Sequence, residues 1–118
     1  MGKLTTHVLD TMHGSPAAGL ALTLHRLAED GSATLIKSVT LNHDGRADAP
    51  LLEGEALTAG RYRLVFALGD YFRARGVALA EPAFLDRVPL EFGIADTAAH
   101  WHVPLLASPY SFSTYRGS

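Results

Sequence analysis

The sequence predicts an all-β domain, a sandwich of two antiparallel sheets with one short helix. Short segments of alternating apolar and polar residues recur along the chain, which is the pattern of strands with one buried face. Clusters of Gly, Pro, Asp and Ser separate these segments at the spacing typical of a sandwich. The chain has 118 residues, the length of one ordinary domain, so we expect residues 1–118 to form a single unit.

The first predicted strand, residues 4–10, shows the alternation clearly. Thr5, His7 and Leu9 would lie on one face, and the intervening residues on the other. The turn signal His13-Gly14-Ser15-Pro16 ends this strand.

Two further strands are predicted at residues 21–26 and 34–41, joined by a hairpin turn that contains Asp30 and Gly31. A second turn follows at residues 42–46, where Gly45 tolerates a positive φ. Residues 47–59 are weakly patterned, and we predict no element there.

The second half of the chain contains a strong strand candidate and the helix. Residues 61–68 alternate as a strand, and residues 70–75 are predicted to form a short helix that Asp70 caps and Gly76 ends. Residues 81–86 are expected to form a loop. Residues 88–92 are predicted to be a strand, and Pro89 near its start favours the edge of a sheet.

The last predicted element is a hairpin, residues 100–107 and 110–115, that turns at Ser108–Pro109. Pro104 within it has no ladder donor, which indicates a bulge, an edge, or a nitrogen that faces a gap.

Composition excludes several classes of function. A formal charge of −2 gives no basis for binding nucleic acid or an anionic membrane, and the absence of Cys excludes disulfides, thiolate metal sites and Cys nucleophiles. No apolar run reaches the length of a membrane span, and the first residues lack the apolar core of a signal peptide. We therefore expect a cytoplasmic protein.

Candidate functional residues are His and Arg. His7 lies in mid-strand, where the simplest interpretation is a half-buried imidazole satisfied by a backbone group. His100 and His102 should project from one face, about 6–7 Å apart, and such a pair can be half of a zinc site, although only His7 suggests itself as a third ligand. Arg46 is either a solvated loop charge or a fork of donors for a planar, anionic or carbonyl-rich ligand.

The end of the chain, Tyr115-Arg116-Gly117-Ser118, follows a strand-like segment directly. It is either a frayed tail or a segment with a function. The motifs of Ser hydrolases, P-loop proteins, dinucleotide-binding enzymes and zinc proteases are missing. His, Arg and a polar terminus suit general acid–base activation of water against an electron-poor ring or carbonyl.

Three stretches resemble the transthyretin-like family. They are Leu4-Thr5-Thr6-His7-Val8-Leu9-Asp10 with Gly14-Ser15-Pro16-Ala17; Asn42-His43-Asp44-Gly45-Arg46 with Pro50-Leu51-Leu52; and His100-Trp101-His102-Val103-Pro104-Leu105-Leu106 with Ser108-Pro109-Tyr110. The closing Tyr-Arg-Gly-Ser is similar to the end of the 5-hydroxyisourate hydrolases of that family and is missing from transthyretin, the hormone carrier.

The resemblance implies two four-stranded sheets with one short helix, assembled as a homotetramer, a dimer of dimers whose active sites lie in a central channel. It implies hydrolysis of 5-hydroxyisourate to 2-oxo-4-hydroxy-4-carboxy-5-ureidoimidazoline in urate breakdown, with no metal and no organic cofactor.

The resemblance also assigns roles by position. It implies catalytic roles for His7, Arg46, His102 and Ser118, and the family motif selects His102 over His100, which spacing alone does not. The expected substrate-binding residues are His7, Arg46, His102, Tyr115, Arg116, Gly117 and Ser118. The alternative is a transthyretin-type protein that binds an aromatic ligand in the tetramer channel, although His and Arg at these positions and the bulk of Tyr115 argue against it.

Overall fold

Two β-sheets pack face to face in the computed structural model, which describes residues 2–117. The strands are β1 Lys3–Asp10, β2 Ser15–Pro16, β3 Ala21–Leu27, β4 Ala33–Thr40, β5 Leu52–Glu53, β6 Gly60–Ala67, β7 Arg87–Ile94, β8 His100–Ser108 and β9 Ser111–Thr114. The helix α1 spans Leu68–Ala74, and a 3₁₀ turn spans Gly54–Ala56. The predicted all-β sandwich with one short α-helix is confirmed for this part of the chain.

One sheet has four antiparallel strands in the order β4-β3-β6-β7, as expected. The other has five strands rather than four: β2-β1-β8-β9 in order, with β5 also paired to β1. The fifth arises because β2 and β5 are two-residue segments that pair with opposite ends of the same strand, β1. Residues 52–53, where no element was predicted, form β5.

The prediction of two antiparallel sheets is wrong for β1 and β8, which pair in parallel. These strands come from opposite ends of the chain, so no hairpin forces them to run antiparallel. The parallel register places Thr5 opposite His102 and His7 opposite Pro104. This register positions the functional residues described below.

The core lies between the sheets, and strand alternation fills it as expected. In β1, Leu4 and Val8 are fully buried while Thr5, His7 and Leu9 are only partly covered. Tyr62, Leu64 and Phe66 of β6 are buried in the opposite sheet, and the full burial of each large apolar side chain stabilises the fold by roughly 1.5–3 kcal/mol. His7 therefore lies on the outer face of the five-stranded sheet.

The helix begins earlier than predicted. It starts at Leu68 directly after β6, and Ala67 at its N-cap makes no side-chain hydrogen bond. Asp70 lies within the first turn and is not the cap, because the buried Leu68 has already entered the helix. Gly76 has a φ of 83° just beyond the helix, as expected for a residue that ends one.

Pro89 and Pro104 occupy strand positions that need no ladder donor. Pro89 lies in β7, an edge strand of the four-stranded sheet, as predicted. Pro104 lies in the inner strand β8, but β9 ends at Thr114, whose hydroxyl donates to the Pro104 carbonyl at 2.7 Å. The nitrogen of Pro104 therefore faces the gap that opens where β9 stops.

Within residues 2–117, no helix has the length and apolar character needed to cross a membrane.

Candidate active site

Three imidazoles lie on the outer face of the five-stranded sheet. His7 projects from β1, and His100 and His102 project from β8 with ring centroids 6.2 Å apart. His7 and His102 are half-buried, whereas His100 is exposed. The predicted common face of the His-x-His pair is confirmed, and the parallel pairing of β1 with β8 adds His7 to it.

Arg46 reaches the same face because the outer edge of β1 is covered by short segments. β5 pairs with its start and β2 with its end, while the turn of residues 42–46 docks between them. An isolated antiparallel bridge joins His7 to Arg46, and the Val8 amide donates to the Gly45 carbonyl at 2.9 Å. The turn therefore delivers Arg46 beside His7.

The turn itself is held by Asn42 and requires glycine. The Asn42 side-chain carbonyl accepts the amides of Asp44 at 2.9 Å and Arg46 at 3.2 Å. Gly45 has a φ of 72°, and a Cβ there would lie 2.6 Å from the Val8 carbonyl oxygen. Since the left-handed conformation and the close approach both exclude a side chain, Gly45 sets the position of the next residue.

The ring of His102 is fixed on two sides. Its Nδ1 lies 2.8 Å from the Thr5 hydroxyl, and that hydroxyl also lies 2.8 Å from Nε2 of His100. On the other side, the Gly117 amide donates to the His102 carbonyl at 2.8 Å, and a Cβ on Gly117 would lie 2.6 Å from the ring Cδ2. Within residues 2–117, the remaining ring nitrogen, Nε2, has no hydrogen-bond partner.

Electrostatics keep both inner imidazoles neutral. Burial, followed by the nearby Arg46 guanidinium, lowers the pKa of His7, while a backbone hydrogen bond with Asp44 and the charge of Asp44 act in the opposite direction. Burial also lowers the pKa of His102, with further contributions from Arg46, His100 and His7. Desolvation and nearby positive charge both disfavour an imidazolium. His7 and His102 are therefore suited to accept a proton at neutral pH.

The Arg46 side chain is exposed, and within residues 2–117 no carboxylate lies close enough to form an ion pair with its guanidinium. A cavity of about 210 Å³ beside it is lined in part by Lys3, Thr5 and Pro50. A guanidinium is a planar fork of donors that matches the oxygens of a planar or anionic ligand.

The residues near the end of the chain are placed differently from one another. Gly117 contacts His102 as described, whereas the Arg116 guanidinium stacks on the Trp101 ring, 4.0 Å from its centroid. Tyr115 is exposed and, together with Arg116, lines a groove of about 370 Å³ between the two sheets. Ser118, the remaining predicted catalytic residue, lies outside the described residues.

A zinc site needs a third and a fourth ligand beside His100 and His102. Among the residues that the structure describes, no group of three or more His, Cys, Asp or Glu side chains is placed to hold a metal ion. His100 and His102 instead direct one ring nitrogen each at the Thr5 hydroxyl.

The geometry brings together His7, Arg46 and His102, and it adds Thr5, which the sequence analysis did not single out. The available signal was the strand alternation that places Thr5 on the face of His7. The contact itself depends on the register between two strands 97 residues apart, which alternation within one strand does not reveal. Chemically, the site combines two neutral bases with one fixed positive charge.

Fold and site together define a transthyretin-like β-sandwich that carries acid–base groups on an outer sheet face. The sequence matches the model of the HIUase/Transthyretin family over residues 4–117, so the chain belongs to that family. It is 63% identical over 118 residues to the 5-hydroxyisourate hydrolase of Ralstonia nicotianae, with all of both chains covered.

Two solved structures extend the comparison. The structure of Klebsiella pneumoniae 5-hydroxyisourate hydrolase matches with a TM-score of 0.81 and 34% identity, covering 100% of both chains. A crystal structure of (S)-allantoin synthase matches with a TM-score of 0.93 and 47% identity over 99% of this chain. The chain spans 44% of that protein, so the likeness concerns one part of it.

Proposed function

We propose that this protein is a 5-hydroxyisourate hydrolase that opens the ring of its substrate by attack of water, giving 2-oxo-4-hydroxy-4-carboxy-5-ureidoimidazoline in urate degradation. The observation that carries the proposal is the convergence of neutral His7 and His102 with the Arg46 guanidinium on one sheet face. The 63% identity to a full-length relative with that name supports the same reaction.

In the proposed mechanism, the two imidazoles position and deprotonate the attacking water. A general base must be unprotonated to act, and burial together with Arg46 keeps both rings in that form. Arg46 holds the carbonyl oxygens of the substrate and stabilises the negative charge that develops as the ring opens. The proton taken from water is then available for the ring nitrogen released when the C–N bond breaks. No metal or organic cofactor takes part in this scheme.

We propose that residues 115–117 help to shape the substrate site. The contact between Gly117 and His102 supports this placement. Arg116 is proposed to act indirectly, by holding this segment in place. Its guanidinium stacks on Trp101, which lies on the face of β8 opposite His102. Tyr115 lines the groove beside Trp101, and we propose that it supports the segment from that side, while Ser118 assists the imidazoles with its hydroxyl or carboxylate.

The proposal includes a homotetramer, a dimer of dimers with the sites facing a central channel. Three features support assembly: the face that carries His7 and His102 opens outward from a single chain, the cavity beside Arg46 measures only about 210 Å³, and the edge strand β9 exposes Phe112. Size-exclusion chromatography with light scattering tests this, and the expected mass is four times that of one chain. A monomeric protein that is fully active would contradict it.

The cytoplasmic location predicted from the sequence is also part of the proposal, and fractionation of the producing cells tests it.

A carrier of aromatic ligands is the competing function within the family. The half-buried imidazoles and the guanidinium argue against it, because a channel for an aromatic ligand is expected to be lined mostly by apolar side chains. Tight binding of an iodinated aromatic, together with no effect on the decay of 5-hydroxyisourate, would reverse this ranking.

The direct test follows the loss of freshly prepared 5-hydroxyisourate in the presence of purified protein. The wild type should accelerate the loss above the spontaneous rate, and His102→Ala should lower kcat by about 10²–10⁴-fold. His43→Ala is the matched control, since His43 lies exposed in the 42–46 turn and only approaches Asp44 at the surface. No acceleration by the wild type would refute the function; a fully active His102→Ala would refute the assignment of His102.

A further inference from the structure

Thr5 connects the half-buried His102 to the exposed His100. It lies opposite His102 in the parallel register of β1 and β8, and its Oγ1 is 2.8 Å from His102 Nδ1 and 2.8 Å from His100 Nε2. The hydroxyl thus bridges two imidazoles that differ in their access to solvent.

A hydroxyl has one proton to donate and two lone pairs to accept with. At most one of the two imidazoles therefore accepts a hydrogen bond from Thr5, which couples their tautomers. For His102 to act as a base through Nε2, its Nδ1 must carry the proton and donate it to Thr5. The Thr5 proton is then directed at Nε2 of His100.

The ring of His102 is held in the orientation that this arrangement needs. Its Cδ2 edge faces the backbone of Gly117 so closely that a Cβ there would lie 2.6 Å away. Rotating the ring by a half-turn would replace Nδ1 at Thr5 with a carbon and lose the 2.8 Å hydrogen bond. Nδ1 therefore stays on Thr5, and Nε2 stays at the open side.

We propose that Thr5 and His100 form a proton relay behind His102, an inference that rests on the proposed hydrolase function. Nε2 of His102 takes a proton from the attacking water, the Nδ1 proton passes to Thr5 Oγ1, and the Thr5 proton passes to Nε2 of His100. The positive charge then resides on His100. The same transfers in reverse return a proton through His102 to the ring nitrogen released when the C–N bond breaks.

The charges around the pair favour this direction of transfer. His102 is half-buried, and burial together with nearby Arg46, His100 and His7 disfavours a positive charge on its ring. His100 is exposed to water, which solvates an imidazolium. Among the described residues, the charged and titratable groups on the elements beside the relay are Lys3 and His7 of β1, Glu53 of β5, Asp44 and Arg46 of the turn, and Arg116 near the end of the chain.

The decisive variants are Thr5→Val, which removes the hydroxyl and keeps the branched shape, and Thr5→Ser, which restores the hydroxyl. Both residues are compatible with a strand. Thr5→Val should lower kcat by about 10²-fold with KM little changed, since a misplaced or wrongly protonated base costs at least that much. Thr5→Ser should recover most of kcat. A Thr5→Val protein with normal kcat, or a Thr5→Ser protein as slow as Thr5→Val, would overturn the relay.

Measurements of proton transfer distinguish a purely structural role of Thr5 from its role in the relay. The measurement is kcat in mixtures of H₂O and D₂O. A plot of kcat against the deuterium fraction should be curved for the wild type, because several protons move in the relay. The same plot should be linear for Thr5→Val and for His100→Gln. An unchanged curve in both variants would contradict the relay even if their rates fell.

The tautomers provide a readout that does not depend on activity. In ¹⁵N spectra at neutral pH, His102 of the wild type should carry its proton on Nδ1, and Nε2 of His100 should be unprotonated; this His102 preference should weaken in Thr5→Val. A wild-type His102 with its proton on Nε2 would overturn the relay. A wild type that shows the expected tautomers but does not accelerate the loss of 5-hydroxyisourate would instead refute the proposed function.

Discussion

Replacing Gly117 with Ala is the sharpest test of how His102 is positioned. The new Cβ would lie 2.6 Å from Cδ2 of His102 and 3.2 Å from Cγ, with ring atoms rather than the end of a flexible chain as its neighbours. Ordinary contact begins at 3.4 Å, so the ring and the terminal segment must separate by about 0.8 Å. The ring has no room to move toward Thr5, because Nδ1 is already 2.8 Å from the hydroxyl.

The displacement should act on catalysis more than on folding. A shift of about 1 Å in a catalytic group costs roughly 10²-fold in rate, so Gly117→Ala should lower kcat for 5-hydroxyisourate by about that factor. Gly117 is only partly buried and lies beyond the last strand, so the urea midpoint of unfolding should change little. The assay is the initial rate of loss of freshly prepared substrate, corrected for its spontaneous decay.

Gly93→Ala is the matched control. Gly93 lies in the edge strand β7, and a Cβ there would meet no atom within 4 Å. This variant should keep wild-type kcat and stability. If Gly117→Ala is as active as Gly93→Ala, the close contact does not control the position of His102, and the reasoning fails.

Three further predictions follow from the same geometry. Arg46→Lys should raise KM and lower kcat/KM measured in the same assay, because an ammonium cannot reproduce the planar fork of a guanidinium. The acid limb of the pH–kcat/KM profile should lie below pH 6.5, since burial and Arg46 lower the pKa values of His7 and His102 from that value. Because these two imidazoles bind protons more readily in the unfolded chain, the free energy of unfolding measured in urea should also fall as the pH drops below 6.5. Asp10→Ala should destabilise the fold by about 1–3 kcal/mol in urea unfolding, because the buried carboxylate accepts the Tyr71 hydroxyl at 2.7 Å.

Local patterns were sufficient to predict most of the fold and part of the site. The alternation in β1 correctly separates the face of His7 from the face of Leu4, because the buried side of a strand must be apolar. The turn before Arg46 was predicted from Gly45, whose φ of 72° only glycine adopts at low cost. In each case the information lies within a few residues of sequence.

Features that depend on distant segments were missed. The parallel pairing of β1 with β8 is set by packing of the whole sandwich, and neither strand contains a signal for its partner. The contact of Thr5 with His102 follows from that register and was missed for the same reason. The start of α1 at Leu68 rather than Asp70 also reflects tertiary structure, because burial of Leu68 outweighs the capping preference of Asp70.

The central claim is that His7 and His102 act on the same water in one site, and a double-mutant cycle in kcat/KM measures this directly. Groups that act as a unit are strongly non-additive. The double variant His7→Ala/His102→Ala should therefore be about as slow as the slower of the two single variants. If the two losses multiply, the imidazoles work independently, and the site described above is contradicted.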